Sequence, residues 1–555
     1  MSSEKLIYLP LGGAGEIGMN AYVYGYGKEG EERLILVDLG VTFSDMETSP
    51  GVDLIFPDMT WLVENKDRLE AVFITHGHED HVGAVGHFWE DLGVPVYARV
   101  FTAALARHKM KDRGAPEAEV ITVGAWPDMT KAGPFNVGFL PVSHSIPESA
   151  ALVIDSPAGR VIHSGDFKLD ETPVVGEPFD KELWKEVSKD GVKALVCDST
   201  NVFSLHPGRS EASVGREIDA LVSEAPHMVV ATTFASNVAR VKTLAEAGER
   251  AGRSICLMGR AMRRMIETAV ETGVLDSFPK VVSIEDARAI PRQDLMLLVT
   301  GSQGERRAAS AQLARGKYNG MTLKEGDMFL FSSKTIPGNE RGVIRIMNQF
   351  SEMGVEVVDD HEGRYHVSGH ANRPDLEALQ DIVNPQMVIP NHGEHRHLRQ
   401  HAKISEARGR QSIVAVNGTM VDLSGNAPKV AGFVETGRTY LDGAVKIGAL
   451  DGVVRDRIRM ALNGHLVVNV ILDEDDEPLG EAWCEIKGLP EQGRSFAPLL
   501  DVLEEDLTQF LGRAADKTLA NDDKLEEELR RIARNTCNDE IGRKPEVTVI
   551  VSRLS

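Results

Sequence analysis

The chain holds only four cysteines among 555 residues (Cys197, Cys256, Cys484 and Cys537), scattered and without a C-x-x-C pair. That scarcity excludes a disulfide framework and a thiolate zinc site, and it fits a reducing compartment. No apolar run approaches the roughly 20 residues needed to cross a bilayer. The start, Met1-Ser2-Ser3-Glu4-Lys5, lacks the basic and apolar regions of a secretory leader. A cytoplasmic protein with no membrane partner is therefore expected. Internal repeats and low-complexity segments are missing as well. So is an excess of positive charge: the formal net charge is −23, which spread evenly would repel a polyanion. The distribution is uneven. Residues 465–555 carry 21 acidic and 11 basic side chains, whereas residues 236–264 carry seven basic against two acidic, and residues 392–410 five against two. A local basic lining captures a polyanion even on an acidic molecule. The plainer alternative for either cluster is a solvated helix face.

What the sequence does contain is a globular composition, 42% hydrophobic and 26% charged, in a chain too long for one core. Two to four domains are expected. The most informative stretch is Thr75-His76-Gly77-His78-Glu79-Asp80-His81, an H-x-H-x-D-H pattern. Imidazole and carboxylate together suit zinc or manganese, and they are the ligands of hydrolytic metal centres. The apolar run 71–74 before it reads as a buried strand, and residues 82–89 after it can start a helix. The ligands would then lie at a strand's carboxyl end, where open α/β sheets place their sites.

An earlier stretch, Gly13-Ala14-Gly15-Glu16-Ile17-Gly18, fits the dinucleotide fingerprint G-x-G-x-x-G. That fingerprint needs a helix to begin at the glycines. The continuation Ala21-Tyr22-Val23-Tyr24-Gly25-Tyr26 alternates like a strand instead, so a glycine-rich connection near the metal is the better reading. Strand 34–37 delivers Asp38, either an orienting partner for a metal-bound histidine or a strand-end cap. Further strands each end in a histidine or aspartate: His144, His163 with Asp166, Asp198, and His392. Together with the first motif they make a dinuclear site the economical reading.

H-x-H-x-D-H, a later lone histidine, Asp166 in Ser164-Gly165-Asp166 and a final histidine resemble the metallo-β-lactamase fold. Asp198 in Cys197-Asp198-Ser199-Thr200-Asn201 and His370 in His366-Val367-Ser368-Gly369-His370-Ala371 resemble its nucleic-acid-processing β-CASP branch. Residues 12–18, 232–237 and 390–394 look specifically like the bacterial ribonuclease J family, and the resemblance covers nearly the whole chain. It implies an α/β architecture: a metallo-β-lactamase αββα sandwich, an inserted β-CASP domain and a small C-terminal α/β domain. The expected divisions are residues 1–210 and 353–430 for the sandwich, 211–352 for the insertion, 431–462 for a linker, and 463–555 for a self-associating C-terminal domain, giving a homodimer or homotetramer.

By the same resemblance, His76, His78 and His144 hold one divalent ion, zinc foremost with manganese as the alternative. Asp80, His81 and His392 hold a second, and Asp166 bridges the two. Two ions lower a water's pKa toward neutrality and neutralise charge developing on phosphorus. Asp198 and His370 match the family's acid/base pair. Phe234, Ala235, Ser236 and Asn237, with His366, Val367, Ser368 and Gly369, resemble a pocket for the 5′ monophosphate of single-stranded RNA. His163 is expected to be structural or to back the ligands. The implied activity is 5′-3′ exonuclease and endonuclease cleavage in RNA maturation and decay. The rivals are a non-catalytic RNA-binding paralogue, a metallo-hydrolase of small esters or lactams, and a DNA nuclease.

Overall fold

The computed structural model describes residues 4–360 and 362–554. It divides into two compact units: one runs to Thr42 and resumes over Phe56–Arg438, and the other comprises Phe43–Ile55 and the chain from Thr439 on.

The first unit is built on two mixed sheets packed face to face. One has eight strands in the order Lys429–Phe433, Thr419–Asp422, Lys5–Gly12, Ala21–Gly27, Arg33–Val37, Leu69–Phe73, Val96–Ala98 and Val120–Thr122. The other has seven: Gln411–Ser412, Met387–Asn391, Ala194–Asp198, Gly159–His163, Ala150–Ser156, Phe135–Pro141 and Met129–Ala132. Alternate residues of each point inward, so Tyr8, Tyr24, Ile35 and Phe73 meet Phe139, Leu152, Val196 and Ile389 in one core. The opposite face of the second sheet buries Trp184, Leu376, Leu379 and Ile404, from helices outside the sandwich. Sheets inside and helices outside are the expected αββα layers.

Between Ala194–Asp198 and Met387–Asn391, which pair in parallel as neighbours, the chain makes a separate five-stranded parallel sheet. Its order is Ser254–Met258, Leu295–Val299, Val229–Thr232, Met328–Phe331 and Glu356–Val358. These strands read as continuous apolar runs because both faces are covered.

The second unit has a three-stranded sheet, Trp483–Lys487, His465–Leu472 and Glu546–Arg553, backed by helices Leu499–Leu511 and Asp522–Ile541. Its core is largely leucine from the two helices against Leu466, Val468 and Val470. Residues 431–462, expected to be a linker, instead carry regular structure: the hairpin of Arg438–Asp442 with Val445–Gly448 and the helix Val453–Asn463. Gly432, Gly437 and Pro428 misled here because they stand within or beside short, exposed strands that lack an alternating pattern. Residues 43–55 join this unit through Asp53, whose amide donates to the Leu441 carbonyl at 2.9 Å.

The glycine-rich stretch starts no helix. Gly13, Gly15 and Gly18 take φ of 82°, 94° and 102°, and strand Ala21–Gly27 follows. With no helix N-terminus facing a pyrophosphate, the dinucleotide reading falls.

Candidate active site

The expected ligands gather from four strand ends. Strand Leu69–Phe73 leads into His76 and His78, and the short helix Glu79–Val82 carries Asp80 and His81. His144 follows Phe135–Pro141, Asp166 follows Gly159–His163, and His392 follows Met387–Asn391. Ligand atoms of His76, His78, His144 and Asp166 all lie within 4.8 Å of one another, as do those of Asp80, His81, Asp166 and His392. A third group within the same limit joins Asp166 and His392 to Asp198 and His370.

Two observations test whether these residues fit metal ions. The first is spacing. His78 Nδ1 lies 3.1 Å from both His76 Nε2 and His144 Nε2, and His81 Nε2 lies 3.2 Å from Asp166 Oδ2. His392 Nε2 stands 3.4 Å from Asp80 Oδ2. Tetrahedral ligands around zinc stand roughly 3.3 Å apart. The second is which atoms are free. His81 Nδ1 donates to Asp38 Oδ2 at 2.7 Å, and His144 Nδ1 donates to the Gly369 carbonyl at 2.7 Å. Thr75 Oγ1 donates to Asp38 and sits 3.0 Å from His76 Nδ1. Each outer contact leaves the other ring nitrogen with its lone pair toward the centre. Asp166 Oδ1 and both nitrogens of His392 are buried without a hydrogen bond, although Nδ1 and Oδ1 approach to 2.6 Å. Such close approach without hydrogen-bond alignment is the geometry of atoms converging on a third. The donor set fits.

Electrostatics separate the two groups. Burial and neighbouring imidazoles push His76 and His144 well down, and burial brings His78 to about 4, so this trio is neutral as ligands must be. Burial opposes the charge of His392 and His81 too, but carboxylates overrule it: chiefly Asp166 brings His392 up to about 10, and Asp166 with Asp80 holds His81 high. Those protons balance carboxylates that a divalent cation would balance instead.

Asp38 is the partner of His81 and also accepts from the Thr75 amide at 2.7 Å. Two site residues, Asp38 (φ 61°) and His392 (φ 44°), hold left-handed backbone that non-glycine residues seldom adopt. Asn20 was not anticipated. Its Nδ2 lies 3.0 Å from both the Asp80 carbonyl and His81 Nε2, and Tyr22 Oη donates to its Oδ1 at 2.6 Å. His163 is structural: it is buried beside the Tyr22 and Tyr24 rings, with Tyr24 Oη 3.0 Å from its Nδ1.

Beside the ligands, His370 Nδ1 donates to Asp198 Oδ2 at 2.8 Å. Burial disfavours the His370 charge, but Asp198 and Asp166 raise its pKa overall. The Asp198 amide donates to Ser164 Oγ at 3.0 Å. Such a pair, next to the ligands and with the His370 side chain 23% exposed, can pass a proton to or from a reacting oxygen.

Four family models match the chain: "Metallo-beta-lactamase superfamily" over residues 15–200, "Ribonuclease J, beta-CASP domain" over 226–350, "Zn-dependent metallo-hydrolase RNA specificity domain" over 363–415 and "Ribonuclease J C-terminal domain" over 452–554. A ribonuclease J of Sinorhizobium meliloti is 39% identical over 99% of this chain and 98% of its own. The chain belongs to the ribonuclease J family. Other members include proteins of Mycolicibacterium smegmatis, 34% identical over 98% of this chain and 96% of theirs, and Thermus thermophilus, 32% identical over 84% and 82%. A solved structure from Enterococcus faecalis, described as a protein of unknown function, has a TM-score of 0.52 at 17% identity, covering 75% of this chain and all of its own. At that identity the likeness concerns the fold alone.

In this member of the ribonuclease J family, a cleft of about 650 Å³ opens beside His370. Arg209, Lys334, His366, Val367 and Ser368 line it, together with the acidic Asp359, Asp360 and Glu362. Burial, Arg240, Lys334 and Lys168 bring His366 down to about 3. Arg209 donates to the carbonyls of Gly363 and His366, and Ser368 Oγ accepts from Asn201 Nδ2 at 2.8 Å. Gly369 supplies the carbonyl that fixes His144. Phe234, Ala235, Ser236 and Asn237 do not line this cleft. They form the turn before helix Val238–Arg250, where Asn237 Oδ1 caps the amide of Arg240 at 2.9 Å. Arg240 itself is fully buried, paired with Glu211, and it donates to the Tyr365 carbonyl at 2.7 Å. That arginine ties the 234–237 turn to the loop carrying His366. Its role is invisible in sequence because its partners lie 29 and 125 residues away.

Proposed function

We propose that this chain is a two-metal ribonuclease that hydrolyses single-stranded RNA from a 5′-monophosphate end and internally, in RNA maturation and decay. The observation that carries the reading is the convergence of seven histidine and aspartate ligands, sharing Asp166, against the Asp198–His370 pair. A small-ester hydrolase has no use for the cleft of about 650 Å³ and the inserted domain that adjoin this centre. The complete ligand set speaks against a non-catalytic paralogue; a DNA substrate is separated from RNA by running the same assay on single-stranded DNA.

In this proposal His76, His78 and His144 would hold one ion, Asp80, His81 and His392 the other, and Asp166 would serve both, with zinc preferred over manganese. When bound, the two cations supply a water of near-neutral pKa and offset charge on the phosphate. Asp38, Thr75 and the Gly369 carbonyl keep the imidazoles aimed. Asp198 holds His370 by its Nδ1 proton, so His370 presents Nε2 to the leaving 3′ oxygen or to the attacking water's proton. The cleft beside His370 receives the terminal phosphate, positioned by Ser368 and by cationic Arg209 and Lys334, with His366 and the 234–237 turn as its frame. Product formation leaves a new 5′ phosphate to be held again. Residues 463–555 join copies of the chain into a homodimer or homotetramer; exposed Trp483, Phe496 and Ile550 support that role.

The test is end-labelled single-stranded RNA bearing a 5′ monophosphate or triphosphate, incubated with the protein and with His81→Ala. Mononucleotide release from the monophosphate substrate alone, lost in the variant, is the expected result. Cutting indifferent to the 5′ end would remove the phosphate pocket. Absence of any cleavage with zinc or manganese supplied would overturn the reading.

A further inference from the structure

The loop after Asp198 has two faces. Asn201, Ser204 and His206 line the cleft, whereas Phe203 and Leu205 do not and are 49% and 73% exposed. A lone exposed leucine is ordinary on a protein surface. Phe203 is not alone. The His397 ring lies 5.4 Å from its ring, tilted, and the Arg396 guanidinium stands 5.6 Å from its centroid. Both partners open the helix His395–Ala407, immediately after the ligand loop of His392.

The loop is anchored to the chemistry. Thr200 Oγ1 stands 2.6 Å from Asp198 Oδ1 and 3.2 Å from the His392 carbonyl, and Asn201 Nδ2 donates to the His370 carbonyl at 3.2 Å. Phe203 is thus held on a braced arm three residues beyond Thr200, turned to the helix side and away from the phosphate cleft.

We infer that Phe203, with Arg396 and His397, is a stacking platform for a nucleobase of single-stranded RNA, on the side of the scissile phosphate away from the cleft. The inference rests on the ribonuclease reading above. Every base has a π face, so an aromatic ring grips RNA without reading its sequence, as a nuclease that must pass any sequence requires. The guanidinium over the Phe203 ring strengthens it as an aromatic platform by cation–π contact and can also reach a phosphate. Arg396 does pair with Glu394 at 3.0 Å, but both side chains are more than half exposed, so that pair is weak and exchangeable. The same helix adds Arg399 and Lys403, which makes this flank locally basic on an acidic molecule.

The experiment is single-turnover cleavage of a 5′-monophosphate oligoribonucleotide by the full chain, Phe203→Ala and Phe203→Trp, with one abasic nucleotide moved along the RNA. Phe203→Ala is expected to lower kcat/KM about five- to tenfold, with Phe203→Trp close to wild type. At one position beyond the cut bond, the abasic nucleotide should cost wild type that same factor and cost Phe203→Ala nothing more. Undiminished cleavage by Phe203→Ala, or an abasic penalty that persists in it, overturns the platform and leaves the ribonuclease reading standing. A loss shared by Phe203→Trp together with a lowered melting temperature assigns the ring a structural role and also overturns it. Failure of wild type to cut any RNA removes the ribonuclease reading, and the platform with it.

Discussion

At the scale of single residues, the outer contacts of the metal centre make the sharpest predictions. Asp38 is buried and accepts from His81 and from both Thr75 donors. Asp38→Ala leaves His81 free to rotate, and metal affinity is expected to drop roughly 10- to 100-fold. A metal titration that gives wild-type affinity would contradict the role. His370→Ala is expected to behave differently: RNA cleavage falls by about 10²- to 10⁴-fold while bound metal is retained. Loss of metal in that variant would move His370 from proton transfer to ligation.

His401 gives a pH dependence. It is buried between Ser199 Oγ at 2.9 Å and Gln380 Nε2 at 3.2 Å, and burial brings its pKa down to about 4. The unfolded residue takes up a proton near pH 6.5 and the folded one only near 4. Its contribution is therefore complete above pH 6.5 and is lost as pH falls toward 4, by up to roughly 3 kcal/mol. Denaturant unfolding across that window should show a shallower slope in His401→Asn; an unchanged slope would contradict it.

Among the elements, the inserted domain contains a buried ion pair that links several of its segments. Arg240 and Glu211 are fully desolvated, and Arg240 also holds Ser332 and the Tyr365 carbonyl. Arg240→Met strands a buried carboxylate and is expected to cost about 3–5 kcal/mol, with much of it recovered in Arg240→Met/Glu211→Leu. Urea midpoints decide this, and additive losses would count against the coupling. Much of the element layout was legible, for a physical reason. Buried strands read as apolar runs, and four strands of the sandwich lead at their ends to the histidines and aspartates of the site. What escaped were features that depend on distant partners. Asp38 reads the same in sequence whether it caps a strand or holds a histidine. Asn20 and Arg240 have no local signature. The hairpin strands over residues 438–448 are short and the second is largely exposed, so the glycines around them looked like punctuation. The turn 234–237 was read correctly as a helix start, yet its side chains stay out of the cleft.

For the whole molecule, net charge misleads and arrangement informs. A formal charge of −23 coexists with a basic helix beside the ligands and an acidic run over residues 465–555. Glycine packing binds the site to the fold: a side chain at Gly40 would collide with the Asp80 carbonyl, so the ligand loop tolerates nothing larger. Among the described residues no helix is long and apolar enough to cross a membrane. If one chain holds two divalent ions through a shared Asp166, elemental analysis of chelated, zinc-reloaded and desalted protein beside Asp166→Ala will count them. Two ions per wild-type chain and at most one in the variant are predicted. One ion or none in wild type, or two retained without Asp166, would contradict the account.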